Sequence, residues 1–411
     1  MKPDMYLITK AFPYGHGEDS FVKPEYPYLC DRFHVKVIVA ELGETEEYVQ
    51  DRNIEACIIS TVQSLWDKVV SFLFFLTERD CYIEMAAIIR DKRCILKRMY
   101  RALMFGAAAE TFYRRLKKEI GLNKNTKAIF YFYWFDYKCF GLTMHKHRFP
   151  NIKIVARAHG YDLYDERELY GKQFFKPQMD RELERLIFIA HYGKQYYLDK
   201  YRKQDSNKYP VHCLGVRNPK ARIDEGIGDV FHIISCSNLV SLKRVELIIG
   251  GLSKITDRKI KWIHIGDGPE LGKLQKLAEQ RLGNKSSIEY EFVGRWSNEK
   301  VIDFYKERNI NCFITTTETE GNPVSVQEAL SFGIPVIATK VSDIPRMIDQ
   351  NGILLSENPT EEEIADAIRA IAVMDYCSYI TLRQNSYRIY CRDYNAENNH
   401  IKFIEDLLGV I

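Results

Sequence analysis

Short apolar runs alternate with longer amphipathic segments along nearly the whole chain of 411 residues. In the first half the runs are 5–12 (MYLITKAF), 34–40 (HVKVIVA), 128–135 (AIFYFYWF), 152–158 (IKIVARA) and 186–190 (LIFIA). The second half has 231–236 (FHIISC), 261–265 (KWIHI), 288–293 (IEYEFV), 310–315 (INCFIT) and 334–339 (IPVIAT). These runs are β-branched or aromatic and almost continuously apolar, the pattern of strands buried on both faces of a parallel sheet. Helix-length segments separate them, as in successive βαβ units. Two such sets, each large enough for a doubly wound sheet, predict an α/β protein with two Rossmann-like domains. Pro, Gly and charge break the pattern at 216–230 (VRNPKARIDEGIGDV). The expected division is therefore 1–222, 223–385 and a helical tail at 386–411. Ligands of open α/β sheets bind beyond the carboxyl ends of the strands, so two facing domains would hold one in the cleft between them.

Composition narrows the class without naming a function. With 46% hydrophobic and 28% charged residues the chain reads as globular rather than disordered. A net charge of +3 argues against a nucleic-acid binder, but it conceals an asymmetry. Residues 1–222 carry 38 basic and 28 acidic side chains, whereas 223–411 carry 21 and 28. Halves of opposite sign suggest domains with different partners. The longest nearly unbroken apolar run, Val69 to Leu76 (VVSFLFFL), is far short of the ~20 residues that span a bilayer. The first residues, MKPDMYLITKAF, do not read as a secretory leader. None of the ten cysteines forms a C-x-x-C pair, so reduced thiols in a cytoplasmic protein are the simplest expectation.

The most informative segment is 310–345. A buried strand ends at Thr315–Thr317, and Glu320-Gly321-Asn322-Pro323 follows as a turn. Asn322 suits an N-cap and Pro323 the first position of a helix that Gly333 ends. The amides of that helix start form a site suited to phosphate. Glu320 precedes the helix and Glu328 lies within it, with seven residues between them. A carboxylate beside a phosphate site cannot favour the phosphate itself. It suits neutral hydroxyls, such as those of a ribose or hexose.

This segment resembles the E-x7-E donor-binding signature of retaining GT-B glycosyltransferases, specifically glycosyltransferase family four. The resemblance implies that Glu320 contacts the hydroxyls of the donor sugar and Glu328 holds the ribose. Gly321, Asn322, Pro323 and Val324 match the turn whose amides approach sugar and diphosphate. Residues 235–244 (SCSNLVSLKR) resemble the segment that supplies cations to the diphosphate. Lys243 matches its lysine, while Asn238 stands where an arginine is usual and brings no charge. Arg244 stands where glycine is common and is a candidate replacement cation. Gly266 and Gly268 resemble the next loop, and Gly294 and Arg295 fall where relatives contact the nucleobase. In the first half, Gly15 and Gly17 in AFPYGHGE match a loop near the donor phosphate, and His159 matches a histidine near the reacting centre. The tail at 386–411 is expected to cross back onto the first domain.

Arg90, Arg93, Lys97 and Arg101 recur at steps of three and four and are expected to share one helix face, suited to an anionic lipid or a pyrophosphate-linked acceptor. No D-x-D occurs, and His145 and His147 have no spaced partner for a metal site, so no metal is expected. The resemblance thus implies a GT-B fold and a metal-independent transferase without a cofactor. A hexose would pass from a UDP- or GDP-sugar to a glycan or lipid-linked acceptor, at the cytoplasmic face of a membrane. Three other readings stay open: a nucleotide-sugar epimerase, a phosphorylase, and a binding protein without catalysis.

Overall fold

The structure, a computed structural model, describes residues 2–14, 16–40, 54–59, 65–221 and 223–410. The chain divides into two compact units, Met1–His212 with His400–Ile411, and Cys213–Asn399. The first unit therefore ends ten residues before the expected 222. It takes up the tail from 400 rather than from 386.

The first unit holds a six-stranded sheet of β1 (Asp4–Thr9), β2 (His34–Val39), β3 (Ala56–Ile58), β4 (Ile129–Phe132), β5 (Lys153–Ala158) and β6 (Arg185–Phe188). Its order is β3-β2-β1-β4-β5-β6, with every pairing parallel. The helices are α1 (His16–Arg32), α2 (Leu65–Phe75), α3 (Arg79–Asp91), α4 (Ile95–Glu119), α5 (Tyr137–Thr143), α6 (Lys176–Glu182) and α7 (His191–Tyr201). Strand β4 shows why the runs read as continuously apolar. Phe130 and Phe132 enter the core on one face of the sheet, and Ile129 and Tyr131 enter that on the other. The last helix, α15 (Ala396–Leu408), contributes Phe403, Ile404 and Leu407 to the second of these cores.

The second unit repeats the plan. Strands β7 (Val230–Cys236), β8 (Lys259–Ile265), β9 (Ile288–Phe292), β10 (Cys312–Thr315), β11 (Val336–Thr339) and β12 (Gly352–Leu355) lie in the order β12-β11-β10-β7-β8-β9, again all parallel. Helices α8 (Val245–Ser253), α9 (Leu271–Leu282), α10 (Asn298–Glu307), α11 (Val324–Ser331), α12 (Ile344–Met347), α13 (Glu361–Ala372) and α14 (Tyr376–Ile389) complete it. Counted from its own first strand, each sheet has the order 3-2-1-4-5-6. That order reverses direction between the first and fourth strands, where the loops diverge and leave a crevice. The crevices lie beyond β1 and β4 in one unit, and beyond β7 and β10 in the other. Strands β3 and β12 fall outside the ten apolar runs. Both are edge strands, and neither needs to be apolar on both faces.

Candidate active site

In the second unit the loops that leave β7 and β10 are fastened to each other. Glu318 donates its amide to Leu242 O at 2.9 Å, and the Thr316 hydroxyl donates to Arg244 O at 2.9 Å. Arg244 is buried in a left-handed conformation (φ 48°). Its guanidinium donates to the carbonyls of Thr316 (2.7 Å), Thr317 (3.1 Å) and Glu357 (2.8 Å), and to Asn358 Oδ1 (2.9 Å). These bonds correct the expectation of a replacement cation, because the charge is spent on holding the two loops. The next residue back is the one delivered. Lys243 Nζ donates to Glu320 Oε2 at 2.6 Å and Oε1 at 2.9 Å, with both side chains about one-fifth exposed. Ser342 supports the pair from the β11–α12 loop, accepting the Glu320 amide at 3.1 Å.

Helix α11 begins at Val324 with Pro323 as its N-cap residue, one position later than the sequence suggests. Asn322 does not cap it. Its Oδ1 accepts from Gln327 Nε2, while its Nδ2 is buried without a hydrogen-bond partner among the described residues. The helix ends at Ser331 and is followed by Gly333 at φ 65°. Glu328, on the second turn of α11, is only 4% exposed. It accepts a hydrogen bond from Asn298 Nδ2 at the start of α10. Burial pushes its carboxyl up to about 7, against the lowering effect of Asn298. Thus Glu320 and Glu328 differ in kind: one is a partly exposed, ion-paired carboxylate, the other a buried acid poised near neutrality.

The neighbouring turns are set by close backbone approach. An ideal Cβ on Gly266 (φ 146°) would lie 1.9 Å from Ser237 O, and one on Gly268 would lie 2.4 Å from Leu239 O. Side chains are excluded where the β8 loop presses on the β7 loop. His264, fully buried, fixes the same junction by bonding Ser235 Oγ (2.8 Å) and Ser237 O (3.2 Å), and burial lowers its pKa to about 4. Gly266 N donates to Gly294 O at 2.9 Å, which ties the β8 and β9 loops together. Asn238 and Arg295 are exposed on these loops, and Gly321 has open space where a Cβ would stand. Asn298 and Ser342 were not expected as site residues. The Ser297 cap of α10 is readable in the sequence, but nothing local shows that the next residue meets Glu328.

The first unit has its own cluster beyond β1, β4 and β5. His159 follows β5 and is 8% exposed, its ring packed against Tyr133 (5.1 Å) and Trp134 (4.2 Å). Neither ring nitrogen has a hydrogen-bond partner among the described residues, and Asp162 Oδ2 lies 3.8 Å from Nδ1. Asp162 holds the backbone instead, accepting the amides of His159 (2.6 Å) and Phe135 (2.8 Å). Lys176 is buried behind this turn and donates to Phe135 O, and burial lowers its pKa to about 8. Glu18, near the start of α1, accepts the amides of Lys10, Ala11 and Phe12 and the Trp134 indole N–H. A protein carboxylate therefore takes up three consecutive amides of the loop expected to approach a phosphate. Gly17 is the second residue of α1, and Gly15 lies outside the described residues.

The four basic residues expected on one helix face are not on one helix. Arg90 lies in the last turn of α3, Arg93 lies in the break, and Lys97 and Arg101 belong to α4. Lys92 (φ 61°) and Cys94 (φ 46°) turn the chain between the two helices. Arg93 pairs with Asp91 (2.9 Å) and Arg101 with Glu168 (2.6 Å), while Lys97 lies over the Tyr170 ring.

Residues 218–378 match the family described as Glycosyl transferases group 1. The chain is 26% identical over 153 residues to the phosphatidylinositol N-acetylglucosaminyltransferase gpi3 subunit of Schizosaccharomyces pombe, a match covering 37% of this chain and 32% of that protein. It is 27% identical over 184 residues to an uncharacterized glycosyltransferase of Haemophilus influenzae, covering 44% and 48%. The chain thus spans about a third to a half of these relatives. Solved structures match over the full length. A lipopolysaccharide outer core galactosyltransferase, WaaB, superposes with TM-score 0.69 at 15% identity, covering 99% of this chain and all of that one. Anabaena HepE, solved with UDP, superposes with TM-score 0.67 at 15% identity over the whole of both chains. Two six-stranded parallel sheets of the same order, matched to these structures throughout, give the chain the two-domain α/β GT-B fold, with the segment that matches the group 1 glycosyl transferases in its second unit.

Proposed function

We propose that the chain is a retaining glycosyltransferase that moves a hexose from a nucleoside-diphosphate sugar to a glycan or lipid-linked acceptor. One observation carries the reading: at the crevice beyond β7 and β10 a lysine, two glutamates of unlike character and the start of α11 converge. Lys243 and the first amides of α11 would stabilise the negative charge that gathers on the diphosphate as the glycosidic bond breaks. A diphosphate that draws Lys243 away frees both Glu320 oxygens to accept hydroxyl hydrogens of the sugar. Glu328 would accept from the ribose. The acceptor hydroxyl attacks the anomeric carbon from the face the diphosphate leaves, and a diphosphate oxygen takes its proton. His159 enters the proposal through the family resemblance and through its two ring nitrogens, which have no hydrogen bond among the described residues.

The solved complexes of HepE with UDP and with UDP-glucose support a nucleotide-sugar donor. The likeness to the fission-yeast phosphatidylinositol N-acetylglucosaminyltransferase subunit supports sugar transfer to a lipid acceptor. A thermal-shift screen of UDP- and GDP-sugars tests the donor assignment, because a ligand that binds only the native state raises its melting temperature. The reading predicts a rise that Lys243→Ala abolishes. No rise with any nucleotide sugar contradicts it.

A further inference from the structure

Helices α2, α3 and α4 of the first unit carry large apolar side chains on their outward faces as well as on their packed ones. Phe75 of α2 reaches α4 at Gly106, where its ring would lie 2.2 Å from a Cβ, and Ser71 is buried on the same side. Helix α3 buries Asp80 and Glu84, which are met by Arg181 (3.4 Å) and by Lys172 (3.0 Å). Helix α4 buries Arg98, whose guanidinium donates to the carbonyls of Tyr170 and Gly171, each at 2.8 Å. The packed faces also bury Cys81, Ile88, Phe112 and Leu116, and further large apolar side chains point outward. On α2, Trp66 is 74% exposed and Leu73 57%, and on α3 Tyr82 is 63% and Ile89 54%. On α4, Leu96 is 82% exposed and Tyr100 64%. On each helix the pair is spaced by four or seven residues, so it occupies one face.

Basic residues border these faces. The span 65–119 has 12 Lys and Arg against 7 Asp and Glu. Three of the acids, Asp80, Glu84 and Glu110, are buried, so the exposed surface is more basic than the count. Lys68, Arg90, Lys92 and Lys97 are all exposed. Leu and Ile mixed with Trp and Tyr and bordered by Lys and Arg is the composition that settles in the headgroup region of a bilayer. Helices α2 and α3, of 11 and 13 residues, are too short to cross a hydrocarbon core of roughly 30 Å, and α4, long enough at 25, carries charged residues along its length. Among the described residues no helix is long and apolar enough to span a membrane.

We infer that the outward apolar faces of α2, α3 and α4 are a docking surface for an anionic lipid bilayer, which they enter without crossing. The inference concerns seating and is independent of the transfer reaction. It also shifts the contact from the basic side chains alone to the apolar ones, with the cations as a rim.

The test is cosedimentation of the full chain with vesicles of phosphatidylcholine alone or mixed with phosphatidylglycerol. Wild type is expected to pellet with the mixed vesicles. A Leu73→Glu, Leu96→Glu variant should bind at least about tenfold more weakly, since burying one such side chain is worth that much or more. Its melting temperature should be unchanged, because both side chains are more than half exposed. A second variant, Lys68→Glu with Lys97→Glu, should lose binding to the mixed vesicles in the same assay. The inference is overturned if wild type stays in the supernatant with mixed vesicles, or if the leucine variant pellets like wild type. It is equally overturned if light scattering shows a wild-type dimer that the leucine variant dissolves, which makes a second copy the occupant.

Discussion

Replacing Glu328 by Gln should stabilise the protein and weaken nucleotide binding, two effects of opposite sign from one buried carboxyl. Its pKa is pushed from the ordinary 4.5 to about 7 because burial disfavours the charged form. Between these values the native state holds a proton that the unfolded chain has released. Stability therefore falls as pH rises from about 4.5 to about 7, and the loss is complete above that. The gap corresponds to about 3 kcal/mol. Glutamine cannot ionise, and its carbonyl can still accept from Asn298. The variant should thus match wild type near pH 4.5 and exceed it by up to about 3 kcal/mol at pH 8, a melting shift of several degrees. A ribose hydroxyl donating to a carboxylate contributes about 1.5–3 kcal/mol, so affinity for the nucleotide should fall roughly tenfold to a hundredfold. Thermal melts at pH 5, 6, 7 and 8, with titration calorimetry of UDP and GDP at pH 8, measure both effects. A stability difference that does not vary with pH would refute the burial argument. An unchanged dissociation constant would refute the ribose role.

Lys243→Ala removes the cation nearest the expected diphosphate. It should cut turnover about a hundredfold in steady-state assays, as loss of one preorganised charge-stabilising donor does elsewhere. Arg244→Ala leaves three carbonyls and Asn358 without their partner and should cost about 3 kcal/mol in urea melts. An unchanged midpoint there would return Arg244 to the role of a free cation. His159→Ala removes a ring that makes no hydrogen bond among the described residues and should lower kcat in a variant that still melts cooperatively; unchanged kcat would remove His159 from the reaction.

Much of the fold was legible because parallel strands buried on both faces leave continuous apolar runs. Strands β3 and β12 were not, since a short edge strand such as Ala56–Ile58 lacks that signature. The break between α3 and α4 was hidden for another reason. It is made by Lys92 and Cys94 at positive φ, whereas periodicity assumes an unbroken helix and looks for glycine where the chain turns. In the candidate site, Lys243, Glu320 and Glu328 could be proposed from the family resemblance. Their partners could not. Asn298 lies 30 residues before Glu328, and Ser342 lies 22 after Glu320, distances that only the folded sheet closes. Arg244 shows the converse, a charge that suits the chemistry in sequence and is consumed by backbone carbonyls in the fold.

The central claim is sugar transfer at the crevice beyond β7 and β10. It is tested most directly by release of UDP or GDP from a panel of nucleotide sugars, comparing wild type with Glu320→Gln. The account predicts turnover of at least one sugar by wild type, and a loss of at least about tenfold in a folded Glu320→Gln variant. Near wild-type release by that variant, or nucleotide sugars that bind wild type and are never cleaved, would contradict it.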